Sequence, residues 1–588
     1  MEKENLVKKE RKSYLTKDLV KKRIWFTLLV AFMPAFMVFV SIPFEIFGKN
    51  IEEFIFSLGD FLPLMLLFMF GLIVFIFFGL LFLPDKLYRV GVALVVSSSF
   101  MFFVQGTYLN GSMNYLAGDD FGVATSVGTA LLNLFLWAVV ILASVIIALL
   151  RDKKGIIKTI AILATVITSA TQLLSVVSVS ISTKGVFYSS SKKAEINASE
   201  SSILTADNLT NISKDKNIFY FVIDRFDETY AEGAYSRDSS VFDELTGFTW
   251  FKEHIAMFGH TYPAITHMLT NVEYSEDLSR KEYMKKAYKE NQTLKLLAEK
   301  GYEINIHTAQ YYAYDTNTKL PEYISNTTPL VDYEVTSKKG LVRGMLQMSL
   351  YRGAPHLMKS LCGNVDSKTC NNYVKQYGKD NKKAITDDTR DVYHKVSTND
   401  FVLKDNKVFN FIHVYGCHGV VYDDDWNRVS NPHNYSIDVA LKNSFKIINI
   451  YLQKMKEMNV YDDATIIITG DHGKGVNDFT PIDGPRRTAL FVKPSGEGSA
   501  PLKTSVAQTS HTNLWATIVK SENISTDIDF GRSVFDISES ETVTRKYVWH
   551  TYVQPLEVYV YEITGQASDF ENWSLKSKKV YKDKWIMS

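Results

Sequence analysis

Long apolar segments dominate the first third of the chain, whereas the rest alternates short apolar runs with polar stretches. A helix of about 20 apolar residues spans the ~30 Å hydrocarbon core of a bilayer. Apolar segments of this length follow one another between residues 24 and 182. The pattern therefore predicts five transmembrane helices, at residues 24–44, 61–83, 90–109, 129–150 and 160–182.

Basic residues mark one side of these predicted spans. Residues 1–23 carry nine Lys and Arg residues, and the connections after the second and fourth spans add Lys86, Arg89 and Arg151. Lys and Arg concentrate in cytoplasmic loops, so residues 1–23 are predicted to be a cytoplasmic tail. Five spans then place everything after Ser182 outside the cytoplasm, in a multi-pass protein of the cell membrane.

The remainder has the pattern of an α/β domain. Residues 183–216 are rich in Ser, Asn and Lys and are interpreted as a polar linker. Continuous apolar runs such as "NIFYFVID" (217–224) and "ATIIITGDHG" (464–473) predict buried parallel strands. Segments with helical spacing separate them, which predicts a doubly wound α/β domain over residues 217–535. Residues 536–588 are predicted to add terminal strands that complete this domain.

Composition adds two points. The net charge of +1 gives no basis for binding nucleic acid. Of the three cysteines, Cys362 and Cys370 bracket a short loop and could form a disulfide, which would leave Cys417 over. The spacing leaves the redox state of this pair open.

Polar side chains gather where predicted strands end, at Asp224, His413, His418, Asp471 and His472. In doubly wound sheets these ends face the ligand crevice. A carboxylate beside an imidazole suits a divalent ion such as Mn²⁺ or Zn²⁺. By itself Asp224 also fits a helix cap. Thr261 stands at the start of a predicted helix, where backbone N–H groups favour an anion, although Thr is also an ordinary helix start.

Four sequence blocks resemble the alkaline phosphatase/sulfatase superfamily and occur in its order, namely "FYFVIDRF", "HTYPAITHMLTN", "FIHVYGCHG" and "NVYDDATIIITGDHG". The resemblance covers residues 217–535. It implies that Asp224, Thr261, Asp471 and His472 hold one catalytic divalent metal ion, Mn or Zn. It also implies that Thr261 is the nucleophile.

Departures from the superfamily pattern select a branch. A sulfatase converts a Cys or Ser at position 261 to formylglycine, which Thr cannot supply, and Ile265 replaces the sulfatase arginine. Phosphodiesterases of the nucleotide pyrophosphatase type use a second metal, but Val414 stands where they have a ligand. "HVYGCHG" is similar to a motif of lipid A phosphoethanolamine transferases, and the five spans resemble those of lipoteichoic acid synthases.

The transferase resemblance implies further roles. His413 and His418 match substrate-binding positions, and His418 could also protonate the leaving group, although a core role for His413 and a structural loop role for His418 stay open. Arg487 is taken as a phosphate ligand because Arg binds phosphate oxygens bidentately, although Arg486 is an equal candidate and a surface role is open for both. His511 is a weaker metal-ligand candidate.

Taken together, these features predict a metal-dependent transferase that moves a phospholipid-derived headgroup, phosphoglycerol or phosphoethanolamine. The acceptor would be a cell-surface glycan or lipid-linked polymer, and the intermediate a phospho-threonine at Thr261. A phosphodiesterase with water as acceptor is the alternative. A true sulfatase or a non-catalytic binding protein is less favoured.

Overall fold

The structure, a computed structural model, describes residues 17–49, 54, 56–110, 127–150, 156–182, 202–276, 278, 280–313, 320–362, 368–418, 422–429, 437–474, 481–551 and 556–581. The chain forms two compact units. The membrane unit comprises Met1–Ile196 with Tyr333–Gln376, and the α/β unit comprises Asn197–Asp332 with Tyr377–Ile586.

Among the described residues, six helices precede the α/β unit: α1 (Lys17–Phe36), α2 (Ile42–Lys49), α3 (Leu58–Leu81), α4 (Asp85–Val104), α5 (Val127–Leu149) and α6 (Ile156–Ser182). A π-helical turn, Met37–Ser41, joins α1 to α2, and a second one, Gln105–Leu109, extends α4. In the part of the chain that the structure describes, five continuous helices are long and apolar enough to cross a membrane: Asp18–Gly48, Leu58–Leu81, Asp85–Leu109, Gly128–Leu149 and Ala161–Ile181. The five predicted spans are confirmed, and they indicate a multi-pass membrane protein.

The later helices are α7 (Glu228–Arg237), α8 (Thr261–Thr270), α9 (Arg280–Lys289), α10 (Thr293–Glu299), α11 (Gln310–Ala313), α12 (Lys338–Gly353), α13 (Lys368–Asn371), α14 (Thr389–Thr398), α15 (Ile437–Glu457) and α16 (Leu514–Ser521). The strands are β1 (Ser202–Leu204), β2 (Asn211–Ser213), β3 (Asn217–Ile223), β4 (Thr249–Phe251), β5 (Tyr302–His307), β6 (Thr327–Val335), β7 (Val374–Gly378), β8 (Val402–Lys404), β9 (Lys407–Val414), β10 (Ala464–Thr469), β11 (Leu490–Lys493), β12 (Lys503–Ser505), β13 (Thr544–His550), β14 (Leu556–Thr564) and β15 (Trp573–Tyr581).

A seven-stranded sheet forms the centre of the α/β unit, in the order β12-β4-β11-β10-β3-β9-β5. Strands β10, β3, β9 and β5 are parallel neighbours, and β11 runs antiparallel to β10. Every residue of β3 is buried, as its unbroken apolar run predicts. The register pairs Val222 with Thr469 on one side and with His413 on the other, so three strands end at one edge.

Helices cover both faces of this sheet. On one face α8, α10 and α16 contribute Leu269, Leu297 and Trp515 to the core. On the other face α15 buries Phe445 and Leu452, among other side chains spaced three or four positions apart. The predicted doubly wound α/β architecture is confirmed, and it places the strand ends between two helical layers.

Two parts of the predicted organisation differ from the structure. The interpretation of residues 183–216 as a linker does not hold at its C-terminal end, because β1 pairs with β6 and β2 pairs with β8. The predicted domain 217–535 is also interrupted, since Tyr333–Gln376 belongs to the membrane unit. Within the predicted C-terminal region 536–588, strands β13, β14 and β15 form a separate antiparallel sheet. All three cysteines are free thiols, so Cys362 and Cys370 are not bonded.

Buried histidines make the stability of the α/β unit sensitive to acid. Burial lowers the pKa of His267 and of His307 from 6.5 to about 3. Below pH 6.5 the unfolded chain therefore binds protons that the folded chain excludes, and each such histidine removes about 1.4 kcal/mol of stability per pH unit. We expect the free energy of unfolding to fall as the pH is lowered from about 7 to about 4.

Denaturant titrations of the full chain, followed by tryptophan fluorescence, measure this loss. The His267→Met variant should show a shallower pH dependence than wild type. The matched control, His394→Gln, changes an exposed histidine and should leave the wild-type slope. A stability that stays constant over this pH range would contradict the prediction.

Candidate active site

Asp224 directly follows β3, and backbone hydrogen bonds fix its position. Its N–H donates to the carbonyl oxygen of Val414 at 2.9 Å, and its own carbonyl accepts from Cys417 N at 3.0 Å. Gly416 permits this approach: its φ is +46°, and a Cβ there would lie 2.3 Å from Ile223 Cγ2. The side chain of Asp224 is only 1 % exposed, so its carboxylate is held at the sheet edge in a buried position.

Asp471 and His472 follow β10 at the same edge. Gly470 brings the backbone close, since a Cβ on it would meet Phe226 N and O at 2.9 Å. Asp471 Oδ1 accepts the N–H groups of Arg225 and His472, each at 2.9 Å. His472 Nδ1 donates to the carbonyl oxygen of Gly473 at 2.7 Å, which leaves Nε2 as the ring's electron-pair donor.

Thr261 is the first residue of α8, and the C-terminal sheet holds the segment that leads into it. Val548 N donates to Met257 O at 2.9 Å, and Gly259 N donates to Val548 O at 3.0 Å. The next residue, His260, packs its ring against His550 at a centroid distance of 3.8 Å. The sheet of β13, β14 and β15 therefore positions the backbone of Thr261, which is a specific role for the predicted terminal strands.

The four side chains predicted as metal ligands lie together. Ligand atoms of Asp224, Asp471 and His472 are all within 4.8 Å of one another. His472 Nε2 lies 3.8 Å from Asp224 Oδ1, 3.5 Å from Asp471 Oδ2 and 3.4 Å from the hydroxyl of Thr261. Two buried carboxylates, an imidazole nitrogen and a hydroxyl therefore face one point.

These residues fit a divalent cation. Asp471 Oδ2 is buried and has no hydrogen-bond partner among the described residues, an expensive state for an anionic oxygen without a cation. Burial acts to raise the pKa of Asp471, but the His472 and His413 rings and the Arg225 N–H outweigh it and keep the pKa below its usual value. The carboxylate is therefore ionised, and oxygen ligands with one imidazole suit Mn²⁺ or Zn²⁺.

His413, near the end of β9, lies next to Asp224. Its Nδ1 is 2.9 Å from the hydroxyl of Thr308, and its Nε2 is 3.9 Å from Asp224 Oδ2. Burial lowers the pKa of His413, so the ring is neutral near neutral pH. Thr308 follows β5 and was not singled out from the sequence. Its position after a predicted strand is the signal that could have indicated it.

His418 is half-buried in the segment that follows β9. Its N–H donates to the carbonyl oxygen of Tyr415 at 2.9 Å, and its ring contacts the Tyr415 ring at 5.5 Å. Both residues follow β9, the strand that carries His413. His418 is therefore connected to the site by the backbone that leaves this strand.

The two arginines are held in ion pairs. Arg487 donates to the carbonyl oxygen of Lys252 at 2.9 Å and lies 3.3 Å from Glu232 and 3.7 Å from Glu253. Arg486 pairs with Asp483 at 2.6 Å. Both guanidinium groups are thus engaged by neighbouring carboxylates and carbonyl groups.

His511 is buried next to the turn that carries Asp471. Its Nε2 lies 3.1 Å from the carbonyl oxygen of Gly470, and its ring centroid lies 5.2 Å from that of His254. It is not part of the group of side chains that can share a metal ion among the described residues. Its hydrogen bond instead supports the turn that presents Asp471.

Two groups of aromatic residues near Thr261 were not singled out as functional from the sequence. Tyr262 contacts the Tyr312 ring at 5.0 Å, and Tyr312 contacts the His413 ring at 5.5 Å. On the other side, His260 lies between His550 and Trp549. These contacts join segments that are far apart in the sequence, so no local pattern could have indicated them.

No family model matches the chain, and no curated protein matches it. Solved structures do. The chain is similar to a protein in the alkaline phosphatase superfamily from Vibrio parahaemolyticus, at 13 % identity and a TM-score of 0.34, over 66 % of this chain and 90 % of that one. It is similar to the phosphonate monoester hydrolase SpPMH from Silicibacter pomeroyi, at 13 % identity and a TM-score of 0.35, over 61 % and 88 %.

It is also similar to the lipoteichoic acid synthase LtaP from Listeria monocytogenes, at 12 % identity and a TM-score of 0.32, over 66 % of this chain and 92 % of that one. Five apolar helices precede the α/β unit that carries the site. The chain is thus similar to structures of the alkaline phosphatase superfamily, and its own geometry supports what we propose for the site.

Proposed function

We propose that this protein transfers a phospho-headgroup, phosphoglycerol or phosphoethanolamine, from a phospholipid to a hydroxyl group of a surface glycan or lipid-linked polymer. The observation that supports it is the Thr261 hydroxyl, 3.4 Å from His472 Nε2 beside two buried carboxylates. A nucleophile in such surroundings is suited to accept a phosphoryl group. The membrane helices anchor the protein in the bilayer that contains the phospholipid donor, which raises the effective concentration of the donor.

In the first step Thr261 Oγ1 loses its proton to solvent and forms a bond to the donor phosphorus, and the bond from phosphorus to the diacylglycerol oxygen breaks. Backbone N–H groups at the start of α8 orient the phosphate oxygens. His418 is the proposed proton donor to the departing diacylglycerol oxygen. A divalent cation held by Asp224, Thr261, Asp471 and His472 would stabilise the threonine alkoxide and neutralise charge on the phosphoryl group.

The second step reverses the first with a new alcohol. The acceptor hydroxyl gives its proton to His418, which lost one in the first step, and its oxygen bonds to phosphorus as the bond between phosphorus and Thr261 Oγ1 breaks. Thr261 regains its proton. His413, held by Thr308 and facing Asp224, keeps that carboxylate in place through both steps. Arg487 is proposed to bind a phosphate oxygen, for which it would leave its ion pairs with Glu232 and Glu253.

Intact-mass measurement tests the proposal on the full chain. The isolated segment 217–588 is unsuitable, because it would uncover the apolar face of α12, where Leu341, Met345 and Met348 are buried within the membrane unit. Wild type is incubated with Mn²⁺ or Zn²⁺ and short-chain phosphatidylglycerol or phosphatidylethanolamine. We expect a covalent adduct on wild type whose mass identifies the headgroup, and none on Thr261→Ala.

The other outcomes separate the alternatives. Diacylglycerol release without an adduct, with the free phospho-headgroup as product, would favour the phosphodiesterase, in which water takes the place of the acceptor. Neither adduct nor release, from folded and metal-loaded protein, would contradict the phospholipid donor.

A further inference from the structure

Residues 333–376 leave the α/β unit and join the membrane helices. Helix α12 buries Leu341, Met345 and Met348 in one apolar cluster with Phe47 and Met65 of the spans. Tyr333, just before α12, donates its hydroxyl to Asp60 near the start of α3 at 2.7 Å. The segment is therefore an integral part of the membrane unit.

Polar contacts fix the end of α12 among the spans. Asn110 Nδ2 donates to the carbonyl oxygen of Arg352 at 2.7 Å, and the Arg352 guanidinium pairs with Glu45 at 3.0 Å. Gly353 allows a close backbone approach, since a Cβ on it would lie 2.0 Å from the Phe102 ring. The contact is thus specific in shape as well as in hydrogen bonding.

His356, three residues after the end of α12, contacts two of the membrane helices. His356 N donates to Asn133 Oδ1 at 3.0 Å, and His356 Nε2 lies 3.0 Å from the carbonyl oxygen of Leu109. Asn133 lies six residues after Val127, the start of α5, which corresponds to roughly 9 Å along the helix axis. The side chains of Leu132 and Phe135 around it are 59 % and 62 % exposed, as expected of side chains that face lipid on a membrane span.

Directly after His356, which contacts α5, the segment exposes apolar side chains of its own. Leu357 is 44 % exposed, Met358 is 47 % exposed and Leu361 is 78 % exposed. The intervening Lys359 turns inward, where its ammonium group donates to the carbonyl oxygen of Tyr351 and none of the residue is exposed. This is the inverse of a surface segment in water, which exposes its lysine and buries its leucines.

We propose that Leu350–Cys362 is a membrane-inserted corner, whose exposed apolar side chains contact the acyl chains of the leaflet from which residues 333–376 enter. The corner dips into the bilayer and leaves on the same side. It adjoins α5 through the hydrogen bond between His356 and Asn133, and the contacts of Arg352 with Glu45 and Asn110 satisfy further polar groups. A sixth element therefore contacts lipid without spanning it. This inference does not depend on the proposed activity.

Nitroxide accessibility in lipid nanodiscs tests the corner on the full chain. The background variant is Cys362→Ser, because Cys370 and Cys417 are buried. Single labels are placed through Leu357→Cys and Leu361→Cys. The lipid control is Leu132→Cys on α5, and the water control is Lys339→Cys, an exposed position at the start of α12.

Collision with oxygen, which concentrates in acyl chains, is compared with collision with a water-soluble nickel chelate. We expect the labels at Leu357 and Leu361 to lose nickel collisions and gain oxygen collisions as the Leu132 label does. If the labels at positions 357 and 361 both collided with nickel and oxygen as the Lys339 label does, the proposal would be overturned. Protection from both reagents would also overturn it, because protein, such as a second copy of the chain, would then cover the corner.

Discussion

Replacing Thr261 with Ala is expected to stop turnover while most of the metal binding persists. The hydroxyl is the group that attacks phosphorus, so its loss removes the covalent step, and we expect the rate to fall at least about 10³-fold. Asp224, Asp471 and His472 still surround the same point in this variant. The rate of diacylglycerol release from full-chain protein in nanodiscs measures the first effect. The rise in melting temperature on addition of Mn²⁺ or Zn²⁺ measures the second.

Two controls make this result specific. Thr261→Ser keeps a hydroxyl at the start of α8 and should retain turnover within about tenfold of wild type. Thr266→Ala removes a hydroxyl from the same helix that only donates to the carbonyl oxygen of Tyr262, so it should retain both turnover and the metal-dependent shift. Full turnover by Thr261→Ala would refute the role of Thr261 as nucleophile.

The architecture of the chain could be predicted wherever the pattern of apolar residues within one segment is enough to identify its structure. Span length and apolar content identified the membrane helices, and unbroken apolar runs identified β3 and β10. Helix α12 could not be placed in this way. Its sequence, "KKGLVRGMLQMSLYRG", resembles any moderately polar helix, and only its contacts with Phe47 and Met65 assign it to the membrane unit.

The same reason explains the error over the linker. Residues 202–213 place a few apolar side chains among Ser, Thr and Asn, and their strands form because Thr328 and Val402, far along the chain, supply pairing partners. Strand propensity in such short segments is weak, and tertiary pairing decides the outcome. A composition rich in Ser and Asn therefore indicated a linker where two strands exist.

Strand ends made the candidate site accessible to sequence reasoning. Asp224 and Asp471 each follow a buried parallel strand, and neighbouring parallel strands bring their carboxyl ends to one edge. The environment of Arg487 was not accessible, because Glu232 and Glu253 approach it from separate segments. The stacking of His260 on His550 likewise requires the C-terminal sheet to reach the start of α8. The roles of these residues stay predictions until variants are measured.

Replacing Asp471 with Asn is expected to abolish both metal binding and turnover without unfolding the site. Asp471 Oδ1 accepts the N–H groups of Arg225 and His472, and the amide oxygen of Asn can accept both. The amide NH₂ then stands at the position of Oδ2, 3.5 Å from His472 Nε2, and cannot ligate a cation. Metal content by mass spectrometry should fall from about one ion per chain to background, and turnover at least about 10³-fold.

Thermal melts give a readout independent of activity. Without added metal, Asp471→Asn should melt no lower than wild type, because it removes one of two buried carboxylates that repel each other. With Mn²⁺ or Zn²⁺, wild type should gain stability and the variant should not. The matched control, Asp483→Asn, changes an exposed carboxylate that pairs with Arg486 and should keep the wild-type metal content and shift. Metal retained at the wild-type level by Asp471→Asn would show that the cation binds elsewhere, and the assignment of Asp224, Thr261 and His472 as its other ligands would then fail as well.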